Sequence, residues 1–246
     1  YLEIGSFRQA IAAFQKVAPE SELAATARCD AGHIWYNKNN PGRNLENAIK
    51  TFLDLVKKYP RSNDAPRALL LAGNCYQELL EWQKAADIYQ QILNQYNNSE
   101  QAKIAQLLLG HAYRSQKKYS SAITAYTVIR DGGTDRYPVE MVIDAELRLA
   151  ETLALSGQYY ESGSTYLRVR HLREQHNPLT ALHAAVRAAD AYAKAGKNFL
   201  AKDTYEDAIN LYQTYISSVT PKQKKDWDQL HQYADGKYQE LLRKTQ

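Results

Sequence analysis

The segment Ala72-Gly73-Asn74-Cys75-Tyr76, followed by Ala85 and Tyr89, returns 37 residues later as Leu109-Gly110-His111-Ala112-Tyr113, followed by Ala122 and Tyr126. Working outward, the small residue of this phrase recurs at Gly32, Gly73, Gly110, Ala150 and Ala189, with spacings of 41, 37, 40 and 39. A large residue stands three positions after each: Trp35, Tyr76, Tyr113, Leu153 and Tyr192. A second ladder places Ala10, Ala48, Ala85, Ala122, Ser162 and Ala201 four residues before Phe14, Phe52, Tyr89, Tyr126, Tyr166 and Tyr205. Seven residues after each small one comes Val17, Leu55, Ile92, Ile129, Val169 or Ala208. Offsets of three, four and seven fall on one face of an α-helix, so the two ladders predict alternating first and second helices. A small residue at each crossing lets two backbones approach, and the aromatic one turn away fills the wedge between them. No single pair can bury that face alone, so successive pairs stack into an all-α, right-handed solenoid.

Composition agrees and removes other classes. The chain has 246 residues, 44% hydrophobic and 24% charged, an ordinary globular balance that excludes a disordered segment. A net charge of +4, interleaved with acids, is no nucleic-acid footprint. Two cysteines, Cys29 and Cys75, exclude a disulfide framework and a multi-cysteine zinc module. No apolar run approaches the roughly 18–20 residues needed to cross a membrane. The chain holds 19 Tyr against 4 Phe, and the ladders account for most of that excess. Tyr1, Tyr76, Tyr113 and Tyr192 fall in the large slot of first helices, and Tyr89, Tyr126, Tyr166 and Tyr205 in the aromatic slot of second helices. Tyr119 and Tyr159 begin second helices, while Tyr59, Tyr96 and Tyr212 end them. A hydroxyl on such a core ring is tolerable where its tip reaches water or a carbonyl at the rim.

Turn chemistry sets the boundaries. Asn39-Asn40-Pro41-Gly42 enlarges one turn and explains the 41-residue spacing. Pro60-Arg61-Ser62-Asn63-Asp64, Asn97-Asn98-Ser99, Asn177-Pro178 and Thr220-Pro221 are further breaks, several with N-cap residues. Asp131-Gly132-Gly133-Thr134 reads as the most flexible connection. The predicted helices are 6–18, 20–38, 44–58, 64–79, 81–96, 99–115, 117–130, 138–155, 157–175, 179–195, 197–218 and 221–245. Tyr1 falls in a large slot and Gly5 at the turn after it, so residue 1 is expected near the end of a helix whose earlier turns lie upstream. Residues 1–219 therefore form the array, a fragment of a longer one at its N-terminus. Residues 220–246, with Trp227, Leu230, Ala234, Tyr238 and Leu241 on one face, read as a helix that caps it; a membrane-surface or calmodulin-type helix is the alternative.

These residues resemble the tetratricopeptide repeat, whose pattern joins a Leu-Gly-x-x-Tyr step, an Ala-x-x-x-Phe step and a closing Pro. The resemblance covers about residues 1–219, with a period of 37–41 where about 34 is usual. It implies about five helix pairs behind a leading half-repeat. The long period and Tyr59-Pro60-Arg61-Ser62, running on to Ala65 and Ala68-Leu69, resemble a bacterial cell-envelope branch. That branch includes the Tol-Pal-associated periplasmic repeat protein and the repeat lipoprotein of the outer-membrane barrel-assembly machine. A periplasmic or envelope location is what this implies, with the cytoplasm as the alternative.

No phosphate loop, dinucleotide fingerprint, G-x-S-x-G elbow or H-E-x-x-H pair occurs, so no enzyme activity, cofactor or metal is expected from these residues. Cys29 and His33 share a helical face, yet no third ligand accompanies them. The two cysteines are expected as separate, half-buried thiols. In repeat arrays of this kind first helices line the concave groove. Three residues before the small slot stand Cys29, Leu70, Leu107, Leu147 and Val186; one after it, His33, Asn74, His111, Glu151 and Asp190; four after it, Tyr36, Gln77 and Arg114. An apolar stripe thus runs beside a polar one that turns acidic at Glu151 and Asp190, tempered by Arg148 and Arg187. Such a groove suits a partner's amphipathic helix or extended segment. Some relatives clamp a terminal carboxylate with Lys and Asn; here Asn74 matches, but Cys29 and Leu70 stand where a lysine would be wanted. The expected function is a non-enzymatic scaffold or adaptor for protein partners. The alternatives are a structural subunit that self-associates through array ends and convex face, and the docking arm of an enzyme whose catalytic domain lies upstream. A small-molecule ligand is not expected.

Overall fold

The computed structural model describes residues 7–245 apart from 19 and 22. The expectations for Tyr1 and Gly5 lie outside the described residues. Those residues form twelve α-helices and no strand. They are α1 (Phe7–Gln15), α2 (Ala24–Tyr36), α3 (Leu45–Lys58), α4 (Ala65–Glu78), α5 (Trp82–Gln95), α6 (Glu100–Ser115), α7 (Tyr119–Arg136), α8 (Val139–Leu155), α9 (Tyr159–Arg173), α10 (Pro178–Lys194), α11 (Asn198–Tyr215) and α12 (Pro221–Thr245). A single 3-10 turn, Ile216–Ser218, precedes the last. Two compact units divide the chain, Tyr1–Ser121 and Ala122–Gln246. Within the first, helices pack in chain order from α1 to α6, and α2 touches α4 and α4 touches α6. Within the second, α8 to α12 follow the same order, and α10 also touches α12. The fold is an all-α array of tetratricopeptide-type pairs.

Both ladders lie in the cores of these units. In the first unit Ala48, Phe52, Leu55, Ala85, Tyr89 and Ile92 are fully buried. In the second, Ala122, Tyr126, Ile129, Ser162, Val169, Ala201 and Ala208 are fully buried, with Tyr166 and Tyr205 nearly so. The close approach behind the pattern is measurable. A Cβ at Gly32 would lie 2.5 Å from the Phe52 ring, and one at Gly73 would press as hard on Tyr89. Where the period uses Ala150 and Ser162, the Ser162 hydroxyl donates to the Ala150 carbonyl at 2.8 Å. That bond satisfies the buried hydroxyl and ties the first helix to the second at their crossing.

Four turns between the helices of a pair share one geometry. Leu80, Lys117, Gly157 and Gly196 have φ of 61°, 59°, 81° and 70°. The next residue's N–H donates back to Tyr76, Tyr113, Leu153 and Tyr192, each at 2.9 Å. This is the helix-ending motif in which a left-handed residue lets the chain reverse, and glycine suits it because it has no Cβ to clash. Leu80 meets the same requirement under strain while remaining 68% exposed. Leu80→Gly is therefore expected to raise stability by about 1 kcal/mol, read as a higher urea midpoint; an unchanged or lower midpoint would show that Leu80 is unstrained.

The enlarged turn after α2 folds back on its own helix. Asn40 is buried and donates through Nδ2 to the Ile34 carbonyl at 3.0 Å, and the Asn44 N–H reaches the Trp35 carbonyl at 3.0 Å. Asn44 then caps α3, Ser99 caps α6 and Asn177 caps α10, each side-chain oxygen accepting from an N–H three residues on. The break expected at Asp131-Gly132-Gly133-Thr134 falls at Gly133, whose φ of 55° and ψ of −161° interrupt α7 before it runs on to Arg136. Tyr137, 4% exposed, packs so close that a Cβ on Gly132 would lie 2.6 Å from its ring. Burying that ring holds Gly132 in place despite its intrinsic freedom, while Gly133 supplies the positive φ of the bend.

Polar contacts one period apart join successive pairs within a unit. Thr26 Oγ1 donates to Asp64 at 2.7 Å, the Tyr96 hydroxyl to the Pro60 carbonyl at 2.7 Å, and Lys118 to Gln83 at 2.6 Å. In the second unit Arg170 makes a bidentate pair with Asp207, at 2.9 and 2.7 Å, and Arg173 pairs with Glu140. The planar guanidinium matches the carboxylate at two points, which fixes orientation as well as distance. Helix α12 lies along α11, with Trp227 2% exposed, Ala234 fully buried and Leu241 8% exposed. Leu230 and Tyr238 pack on the same core.

Candidate functional site

The first-helix face is built separately in each unit. In the first, α2, α4 and α6 carry the positions singled out from sequence. His33, Tyr36, Leu70, Asn74, Gln77, Leu107, His111 and Arg114 are half-buried, so each keeps part of its surface in solvent. Cys29 is fully buried in the core beside Ala48 and Phe52. It is therefore enclosed in the core and not open to a groove. Burial pushes its thiol up to about 11 and that of Cys75, equally buried, up to about 12. Both are core thiols, fully and not half buried, and neither is a nucleophile at neutral pH. Ile104, 39% exposed, was missed by sequence reasoning. It precedes Leu107 by three on α6, and that helical offset was the signal that could have found it.

The polar stripe has a structural duty. The Tyr89 hydroxyl lies 2.9 Å from Asn74 Oδ1 and 3.1 Å from Gln77 Oε1. The tip of the buried wedge thus crosses its pair and meets the residue just after the small slot. Burial is the main reason its hydroxyl titrates well above the usual range. Both amides keep N–H donors, so the face here offers donors beside Leu70 and Leu107. At the edge, Arg43 donates to the Tyr36 carbonyl at 2.9 Å, pairs with Glu78 and sits 5.6 Å over the Tyr36 ring. Burial, then the hydrogen bond to Glu78, raises Tyr36 to about 12. Partial burial pushes Glu78 up, but its bonds from Arg43 and Tyr36 outweigh this and hold it below its ordinary value. His33 is lowered by burial and by Arg67 nearby, so it is neutral at pH 7.

The second unit is more fully engaged. Leu147 is half-buried against Ile143, Val169 and Ala184, and Val186, 4% exposed, belongs to the core. Val186 is thus removed from any open stripe by the packing of α12 and α11 around α10. Arg148 bridges Asp144 at 3.2 Å and Glu151 at 3.3 Å. Asp190 Oδ1 accepts from the hydroxyls of Tyr205 and, at 2.9 Å, of Tyr233 on α12. Burial, then the bond to Asp190, raises Tyr233 to about 12. The acidic trend read along the sequence therefore ends in groups already bonded within the chain. Tyr233 has no counterpart in the repeat phrase, so no sequence pattern pointed to it.

One carboxylate in this unit is unusual. Glu146 on α8 is fully buried, with Oε1 2.7 Å from Arg168 Nε and Oε2 without a hydrogen-bond partner. Burial raises it above its ordinary value of 4.5, and Arg168 and then Arg130 only partly offset this. A raised folded-state value means the folded chain binds the proton more tightly than the unfolded chain. The ionised form then weighs against folding as pH rises from 4.5 through the raised value. Glu146→Gln is expected to melt higher than wild type at pH 7.5 and to lose that advantage at pH 4. A wild type more stable at pH 7.5 would show the Arg168 pair outweighing burial.

Among the described residues no group of three or more His, Cys, Asp and Glu is placed to hold a metal, and no helix is long and apolar enough to cross a membrane. The fold is that of a tetratricopeptide-type helical repeat array. Residues 67–99, which span α4 and α5, match the tetratricopeptide repeat family. Solved structures carry the same fold at low sequence identity. BtubC from P. vanneervenii is 12% identical at a TM-score of 0.61, covering 89% of this chain and 92% of that one. YrrB, described as a tetratricopeptide repeat protein with an unusual peptide-binding site, is 18% identical at 0.58, covering 81% and 92%. A tetratricopeptide repeat protein from Parabacteroides merdae is 18% identical at 0.56, covering 98% and 93%. No curated protein matches the chain at a significant level, and no catalytic family is indicated.

Proposed function

We propose that the chain is a protein-interaction scaffold that receives an amphipathic helix or extended segment of a partner on the first-helix face of its first unit. One observation carries this: α6 leaves Ile104 39% exposed and Leu107 half-buried beside the polar groups of α4. An apolar stripe flanked by hydrogen-bond donors anchors alternate side chains of a bound segment while satisfying its backbone. YrrB supports the reading, since a related architecture there carries a peptide-binding site. The second unit contributes less in this scheme, because Arg148 and Tyr233 already occupy its acidic positions and α12 packs on α10 and α11.

The test is capture from native extract by the wild type and by an Ile104→Glu, Leu107→Glu variant, with folding checked by circular dichroism. Leu70 is avoided because it packs against the core. Two buried charges across the stripe should weaken partner capture at least about tenfold. Equal capture by both proteins would remove the face from function. The resemblance to envelope repeat proteins carries the further proposal of an assembly at the bacterial cell envelope. Recovery of the native protein in the cytosolic fraction alone would overturn it.

A further inference from the structure

The second unit carries an exposed apolar edge that neither core nor first-helix face explains. Its α8–α9 and α10–α11 turns lie side by side: the Tyr160 ring is 5.7 Å from that of Tyr192, and Lys194 sits 5.9 Å over the Tyr159 ring. Tyr160 and Phe199 occupy the same position in successive pairs, two residues before Ser162 and Ala201. They are 47% and 70% exposed, and Leu155 and Leu200 beside them are 55% and 37% exposed. Isolated exposed apolar residues are ordinary, but four at the helix ends flanking two adjoining turns form a patch.

Lysines surround the patch. Lys194 and Lys197 are exposed on the α10–α11 turn, and Lys202 lies 5.4 Å over the Phe199 ring. Two acids accompany them, Glu161 and Asp203, the latter only 4.0 Å from Lys202. Helix α12 adds further positive charge. Alternating antiparallel helices make α12 parallel to α10, and Tyr233 is bonded to Asp190. At 1.5 Å per residue the turn at Gly196 lies about 9 Å beyond Asp190, and Arg243 and Lys244 about 15 Å beyond Tyr233. The basic last turn of α12 therefore reaches the same edge, with Lys244 paired to Glu240 at 2.7 Å and Arg243 beside it.

We propose that this edge docks on an anionic lipid surface. The apolar side chains sit at helix ends and are 37–70% exposed. A peptide wants a groove, whereas exposed rings and leucines at such an edge can enter the interfacial layer of a bilayer directly. Aromatic rings with lysines around them match the two chemistries of that layer, an apolar boundary below and phosphate charge above. The contact is reversible and peripheral. It is independent of the first-helix face of the other unit.

The test is co-flotation of the full chain with vesicles of phosphatidylcholine containing about one third phosphatidylglycerol, against pure phosphatidylcholine. The wild type should float with the anionic vesicles at low salt and remain behind with the neutral ones. Phe199→Ser with Leu200→Ser, both exposed and expected to fold, should lower the bound fraction at least about tenfold, as should Lys194→Glu with Lys197→Glu. Failure of the wild type to float would overturn the proposal. So would undiminished flotation of the Phe199→Ser, Leu200→Ser variant, which would reduce the effect to general charge adsorption. An Ile104→Glu, Leu107→Glu variant should float as the wild type does, which separates this edge from the protein-binding face.

Discussion

Tyr89→Ala will lower the unfolding free energy by about 3–5 kcal/mol, the loss typical of truncating a buried aromatic in a core that relaxes only partly. Tyr89 is fully buried and its ring lies hard against Gly73, which has no side chain to fill the space left behind. Tyr89→Phe keeps the ring and removes only the hydroxyl that reaches Asn74 and Gln77. It should cost about 0.5–1.5 kcal/mol, because both amides can turn to water at the half-buried face. Urea unfolding followed by circular dichroism separates the two. A loss below about 1 kcal/mol for the alanine variant would remove Tyr89 from the core.

Trp227→Ala is expected to cost about as much, in the range of 3–5 kcal/mol, and to act locally. Trp227 is 2% exposed and lies 6.3 Å from the Tyr212 ring. Tyr212 also stacks on His231 at 4.1 Å and donates to Asp228 at 2.8 Å, so Trp227 and Tyr212 together join α12 to α11. Repeat arrays are stabilised by nearest-neighbour contacts, so removing the anchor should release α12 first. Hydrogen exchange should show α12 amides losing protection before those of α9 and α10, with early proteolysis in the turn before Pro221. Even loss of protection across α9 to α12 would mean that α12 unfolds only with its whole unit.

The two ladders show what is legible in a linear chain. Gly73, Tyr76, Ala85, Tyr89 and Ile92 are local in sequence and act through one helix or one crossing. Helix pairing is short-range, so the period alone determined that the chain is all-helical, where its turns fall and which side chains form the wedge. The same locality explains why Asn44, Ser99 and Asn177 could be read as helix starts: a cap needs only an N–H three residues on.

What lay beyond the sequence depended on contacts across the period or outside it. Cys29 and Leu70 hold the same repeat position, yet one is fully buried and the other half-exposed, because burial depends on the neighbouring pair. Gly132 and Gly133 read as a link, and only the fold places the Tyr137 ring against Gly132 and the bend at Gly133. Asp190 read as an open acidic site, but Tyr205 and Tyr233 meet on its carboxylate, the second from 43 residues away on a helix without the repeat phrase. The excess of tyrosine over phenylalanine shows the division most plainly. The repeat pattern places those rings in the wedge. Why they carry a hydroxyl follows from the packed fold, where the tip of Tyr89 meets Asn74 and Gln77 and that of Tyr205 meets Asp190 on another helix.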